Sequence, residues 1–198
     1  DFRRSFAQLR FSPRPRPNHF RTVRRFVYGG NIEYFENSAG RVETREVEGE
    51  AGVEFLSTDR ISLRLTRTYE LVPEAFEPGG SKVTVPIGEY NYQSGQILYA
   101  MGTQHTLSGW LYYQHGSFYG GTKRTIGYAI GRFEASSRLA FEPSLSANWG
   151  TLPGGDFSST VLTTRTTFAF TPRMFTSALV QYNSSAHTLN SNIRLRWE

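Results

Sequence analysis

The chain of 198 residues contains no cysteine, which excludes a disulfide framework and a thiolate metal site. It contains no long hydrophobic run. Its longest apolar stretches, such as Ile97–Met101, fall far short of the ~20 residues a membrane-spanning helix needs. That excludes a helical span but not a spanning strand, because barrel strands alternate and never produce such runs. Hydrophobic residues make up only 38%, low for a packed globule. There is no Gly-x-Ser-x-Gly nucleophile elbow. The first residues, Asp1-Phe2-Arg3-Arg4, lack the apolar stretch of a secretory signal, so the expectation is a mature chain or a fragment of a longer one.

Charge of one sign is also scarce. The net charge is +5, and part of it comes from Arg3, Arg4, Arg10, Arg14, Arg16, Arg21, Arg24 and Arg25. Apolar residues and prolines interrupt these arginines, as strand and turn residues would. No nucleic-acid partner is expected.

What the chain does have is aromatic residues and alternation. It carries 15 Phe, 11 Tyr and 3 Trp. The last ten residues place Leu189, Ser191, Ile193, Leu195 and Trp197 on one side of an extended chain, with Asn190, Asn192, Arg194, Arg196 and Glu198 on the other. The pattern recurs. Val47, Gly49, Ala51, Val53 and Phe55 oppose Glu46, Glu48, Glu50 and Glu54. Ile61, Leu63, Leu65, Tyr69 and Leu71 oppose Ser62, Arg64, Thr66, Thr68 and Glu70. Leu139, Phe141, Leu145, Ala147 and Trp149 oppose Glu142, Ser144, Ser146 and Asn148. Eleven strands are predicted, over 2–11, 21–36, 42–56, 60–71, 89–101, 105–118, 125–134, 138–149, 158–170, 173–183 and 189–198.

Segments of this length and pattern, separated by turn residues, predict an all-β, antiparallel up-and-down meander: an outer-membrane β-barrel segment, residues 1–198 forming one unit of a larger barrel. An odd count of eleven points to strands outside this segment, since single-chain bacterial barrels usually have an even number. A soluble, turn-rich all-β binding module is the alternative, and a barrel-borne hydrolase a more remote one. Connections are expected to sort by end. The short ones are 57–60, 102–104, 135–138 and 171–173, and the long ones 72–88, 119–124 and 150–157. The proline-rich 12–20 stretch is the exception.

Two residue sets follow from this reading. Glu46, Glu48, Glu50 and Glu54, about 7 Å apart along one strand face, would face the lumen with Arg25, Arg64, Arg165, Arg194 and Arg196. They would form an ion-pair lattice or, alternatively, a cation-attracting wall or divalent-ion site. Tyr69, Tyr112, Trp149, Phe170, Tyr182 and Trp197 would lie in aromatic belts at the lipid boundary. Arg45 and Arg67 break the apolar face and are tolerable only near an interface, where they can snorkel. Of the histidines, His19, His105, His115 and His187, only His115 has a polar setting, with Gln114 and Ser117, that suggests chemistry. No catalytic constellation, cofactor or metal is expected.

Several stretches resemble the barrel region of the DUF5916 family, large bacterial proteins often described as carbohydrate-binding family 9 domain-containing. They are Gly40–Glu46, Val85–Tyr90, Gly116–Gly121, Leu152–Phe157, and above all Thr171-Pro-Arg-Met-Phe-Thr-Ser-Ala-Leu-Val-Gln-Tyr-Asn183 with Ser191–Arg194. The resemblance implies a bacterial outer-membrane location and a barrel acting as channel, anchor or export scaffold. Its partners would be outer-membrane lipid, other envelope proteins and further parts of the same chain. It also implies an N-terminal sugar-binding-like domain that these residues do not contain. It supplies no catalytic residues.

Overall fold

A computed structural model describes residues 3–16 and 20–198. Every described strand joins one sheet of eleven antiparallel strands in strict chain order. They are β1 (Arg3–Phe11), β2 (Val23–Glu36), β3 (Val42–Phe55), β4 (Arg60–Val72), β5 (Gly88–Met101), β6 (Leu107–Phe118), β7 (Gly121–Ser136), β8 (Leu139–Leu152), β9 (Gly155–Thr171), β10 (Met174–Asn183) and β11 (Thr188–Trp197). All eleven predicted strands are present. Among the described residues β1 and β11 do not pair with each other, so the sheet is open.

The connections correct the expected sorting by length. Two of the three long ones shrink to two-residue hairpin turns, Tyr119-Gly120 and Pro153-Gly154, because β7, β8 and β9 run several residues further than predicted. Only 73–87 is long at that end, here called the even end after the connections found there. At the odd end 12–22 is long. An asymmetry does survive in another form. The strands at the even end overhang with polar residues on the face that is apolar further along, including Gln93, His115, Thr122, Arg124, Asp156 and Ser158.

Burial is inverted relative to a soluble sheet. On β3 and β4 the apolar side chains are exposed, with Leu65 at 60%, while the side chain of Glu50 opposite them is only 17% exposed. Ser62 and Thr68 are buried and Leu63 is not. The same phase runs through β5, where Ile97 and Tyr99 are exposed and Leu98 and Ala100 between and beside them are half-buried. A single sheet can shield one face only by curving towards it, so the polar face is concave and the apolar face convex.

The register shows the slant of the strands. Phe11, at the odd end of β1, leads across the sheet through Tyr28, Ala51, Leu63, Ile97, Tyr113, Ile126, Ala147 and Thr160. It then reaches Ser184, which donates to the Thr160 carbonyl from just beyond the even end of β10. Nine steps therefore cross about one whole strand length, roughly one residue per step. With a rise of ~3.3 Å and a spacing of ~4.8 Å, that is a tilt of about 35° if the strand ends mark two rims.

Local sequence explains the irregularities. Pro143 sits inside β8 without an N–H to give. Opposite it β7 bulges at 129–132, with Ile130 at φ 52° and Gly131 so close that a Cβ would lie 2.2 Å from the Pro143 carbonyl oxygen.

Candidate functional site

The concave face holds two ionic zones. On β1–β4 carboxylates and guanidiniums interleave. Glu54 accepts from Arg25 at 2.5 Å and lies 3.2 Å from Arg24. Arg60 donates to Glu50 at 2.6 Å. Arg64 bridges Glu48 at 3.2 Å and Glu50 at 3.8 Å. Arg4 pairs with Glu33, and Asn31 donates to Glu48 at 3.3 Å. Strand register produces this: Glu50 stands opposite Arg64, and Glu54 opposite both Arg25 and Arg60. So Glu48, Glu50 and Glu54 join Arg25 and Arg64 as expected, with Arg60 as an addition. Glu46 shares their face, beside Glu33 and Thr68.

Arg165, Arg194 and Arg196 share the concave face but belong to a second zone on β8–β11. Arg165 lies 3.9 Å from Glu142, Arg194 donates to Asn192 at 3.3 Å, and Arg196 pairs with Glu198. They do not reach the β3 glutamates, which lie six or more strands away. The sequence pattern gave each residue its face but not its neighbours across the sheet.

Between the zones lies a concavity of about 320 Å³ lined by Glu46, Glu48, Arg64, Gln96, Gln114 and Lys123 among others. At its even-end margin Tyr92 and Phe118 separate it from the connection 73–87. This segment folds over the concave face as a strap, held by a Phe76–Val85 bridge. Val83 and Val85 bury against Val72, Tyr119, Leu152 and Phe157, with Tyr90, Tyr92 and Phe118 packed around them. Its Pro78–Gly80 turn rests on β9, and a Cβ on Gly80 would lie 3.5 Å from that of Ser185, in the β10–β11 turn. From β5 to β9 is four strand spacings, ~19 Å. Glu70 anchors the base of the strap by accepting from Tyr92 and Tyr119, each at 2.7 Å. Burial, and then the Glu70 carboxylate, hold the Tyr119 phenol above its ordinary pKa, so it stays a donor.

The convex face sorts by height. Tyr69, Trp149 and Tyr182 lie near the even end, and Phe170 and Trp197 near the odd end. Arg124 sits 5.4 Å over the Trp149 ring and Arg45 5.8 Å over Tyr69. Arg67 is two register positions nearer the odd end than Arg45 and lies beside Gln93. From there to Arg24 at the odd end, the convex side of the described strands carries no Asp, Glu, Lys or Arg. Tyr112 corrects the belt assignment. It shares the concave face with Gln114, and its ring covers Gly127, where a Cβ would stand 2.1 Å from Cζ. The gap left by a glycine draws the neighbouring ring across it.

The histidines do not assemble a nucleophile. His115 is on the convex face beside Arg124, opposite in phase to Gln114. The Ser117 hydroxyl is engaged by the Gln93 backbone, whose N–H donates to it at 2.8 Å. His187 occupies the β10–β11 turn at φ 50°, and His19 lies outside the described residues. His105 instead stands 2.9 Å from Asp59, tying two odd-end turns. Asp59 also accepts from the Gly102 N–H and the Ser57 hydroxyl, both at 2.8 Å. The Gly102 bond and then the Ser57 bond lower its pKa, burial opposes them, and His105 adds a smaller lowering. Among the described residues no three His, Asp or Glu side chains are grouped to hold a metal.

Sequence reasoning did not pair Arg60, Glu70 or Tyr119 with their partners, nor seat the strap on the concave face. Arg60 alternates correctly with Ser62 and Arg64 but stands where the predicted turn 57–60 meets the predicted strand 60–71. Tyr119 sits in a turn, where alternation carries no signal. No protein-family model, no curated protein and no solved structure matches the chain.

Proposed function

We propose that this chain forms the wall of a transmembrane β-barrel in the bacterial outer membrane. The convex face would meet lipid and the concave face would line a polar lumen narrowed at the even-end mouth by the strap. The observation that carries the reading is the inverted burial. Ile61, Leu63, Leu65, Ile97 and Ile126 are exposed on one continuous face of the inner strands, while Glu48, Glu50 and Glu54 shelter with their arginines on the other. In water such a face would far exceed the few hundred Å² of apolar patch that monomeric proteins tolerate. In lipid it is the required surface, and a closed sheet leaves no backbone group unpaired there.

Three further features support it. The register slide of about one residue per strand matches the 35–45° tilt of such barrels. The convex face is free of charge between an arginine-tipped upper margin and an aromatic lower one. The polar overhang at the even end suits strands that project beyond an outer leaflet, which orients that end outward. The resemblance to the DUF5916 barrel region agrees in location.

The ionic lattice fits a channel wall better than a bare anchor, since an anchor has no need of a polar concavity. The solute class is a small hydrophilic one, admitted past Glu46, Glu48, Arg64 and Lys123. Extraction tests the reading. The protein should stay with membranes through alkaline carbonate, require detergent for release, and migrate faster on gels unheated than boiled. Release by carbonate alone contradicts it.

A further inference from the structure

Two opposite charges line the concavity between the ionic zones and stand without ion-pair partners. Among the described residues neither Glu46 nor Lys123 has an opposite charge within ion-pair distance, though both line the same hollow of about 320 Å³. Their surroundings explain this. Glu46 stands in register between Glu33, which is taken by Arg4, and Thr68. The guanidinium that lines the hollow, Arg64, is taken by Glu48 and Glu50. Lys123 stands between Gly116 on β6 and Gly150 on β8, and neither offers a side-chain acceptor. Its Nζ lies 4.3 Å from the centroid of the Phe118 ring, which steadies the ammonium without neutralising it. By contrast Glu33, Glu48, Glu50 and Glu54 all have guanidiniums.

The wall between the two charges is polar and carries small residues. In the register row of Lys123, Gly116, Ser94 and Thr66 lead across to Glu48. In the next row, Gln114 and Gln96 lead to Arg64. The Gln114 amide donates to the Ser94 hydroxyl at 3.0 Å, which fixes its orientation. Hydroxyls and amides can both donate and accept. From β3 to β7 is four strand spacings, ~19 Å of wall. A free amino acid holds its charges too close together to meet both ends. A dicarboxylate or a diamine would be attracted at one end and repelled at the other. A neutral sugar would leave both charges unpaired. Two or three peptide residues, at ~3.3–3.6 Å each, cover the span together with the reach of the Glu46 and Lys123 side chains. They also place N–H and C=O groups along the floor.

We propose that the hollow is a binding site for short zwitterionic peptides. The peptide ammonium pairs with Glu46, its carboxylate pairs with Lys123, and its backbone lies along Ser94, Gln96 and Gln114. The inference deepens the channel reading and rests on it, because it names the solute that the lumen selects.

The test is calorimetric titration of the full-length protein, extracted from membranes and folded in detergent micelles. The probes are trialanine, N-acetyl-trialanine, trialanine amide and maltotriose. Trialanine should bind saturably. Capping either end should weaken binding about tenfold, the worth of one charge-assisted hydrogen bond. Maltotriose should bind more weakly than trialanine. Two variants separate the ends. Glu46→Gln should bind trialanine and its N-acetyl form equally, yet still discriminate against the amide. Lys123→Met should do the reverse. A merely structural role for either residue would weaken all peptides together. The proposal is overturned by absence of saturable trialanine binding, by equal affinity for capped and free peptides, by variants that shift every probe alike, or by tighter binding of maltotriose. The capping series on the unaltered protein decides the matter even where a variant does not fold. Failure of the channel reading shows separately, as release by carbonate, or as vesicles carrying the protein that admit no trialanine although it binds in micelles.

Discussion

The hydroxyl of Tyr119 donates to Oε2 of Glu70 across 2.7 Å, tying the β6–β7 turn to β4 beneath the strap. Tyr92, on the strand between, donates to the same oxygen. Glu70→Ala would leave two half-buried hydroxyls without their charged acceptor. The expected cost is about 1–3 kcal/mol, read as a lower midpoint for loss of the fast-migrating folded band on heating. Tyr119→Phe, which keeps the ring packing, should cost less.

The strap should be a fixed constriction. Gly80→Cys with Ser185→Cys places two Cβ atoms near the 3.5–4.5 Å range of a disulfide. Positive φ at Gly80 adds a strain of roughly 1–2 kcal/mol, which the crosslink offsets. Single-channel conductance should be unchanged on oxidation, and should rise severalfold when the strap residues 76–84 are deleted. Deletion without effect on conductance would remove the strap from the permeation path.

The lattice residues should govern selectivity with opposite signs. Glu48→Gln with Glu50→Gln leaves Arg64 with no carboxylate in reach and should lower cation preference, measured as reversal potential across planar bilayers. Arg64→Met leaves Glu48 without a guanidinium and Glu50 with Arg60 alone, and should raise it. Equal reversal potentials for both variants would place the lattice off the ion path.

The convex face should reject charge by depth. Leu145, midway along β8, should cost roughly 2–4 kcal/mol when changed to Arg, whereas Gln93→Arg in the upper overhang should cost about 0–1 kcal/mol. Unfolding titrations in lipid vesicles read the difference.

At the odd end, the lowered pKa of Asp59 sets a pH dependence. A carboxyl held below its unfolded value contributes stability above that unfolded value and loses it as pH falls through the folded one. The turns 56–59 and 102–106 should therefore loosen in acid, seen as faster amide exchange there. Asp59→Asn should show the loosened behaviour already at neutral pH.

Much of this architecture was legible because a strand has a strict period of two. Alternation at 47–55 and 61–71 assigned Glu50 and Leu65 to opposite faces, and the structure keeps that phase. Alternation is blind to what happens across strands and beyond them. It could not foresee that Arg165 and Arg194 lie strands away from Glu48, nor that Tyr112 turns inward to cover Gly127. The turn residues Gly120 and Gly154 suggested loops, but each serves a two-residue hairpin, so the strands run on past them. The seat of the strap was not legible for a similar reason: Val83 and Val85 gain meaning only from Tyr119, Leu152 and Phe157, which are distant in sequence and adjacent in space.

The central claim, that the apolar face meets hydrocarbon, is tested most directly by spin-label scanning. The absence of cysteine makes single labels along 61–68 straightforward. In membranes, Ile61, Leu63 and Leu65 should show high accessibility to oxygen and low accessibility to a water-soluble nickel chelate, with Ser62, Arg64 and Thr66 in the opposite phase. Nickel accessibility peaking at Leu63 and Leu65 would put that face in water and contradict the account.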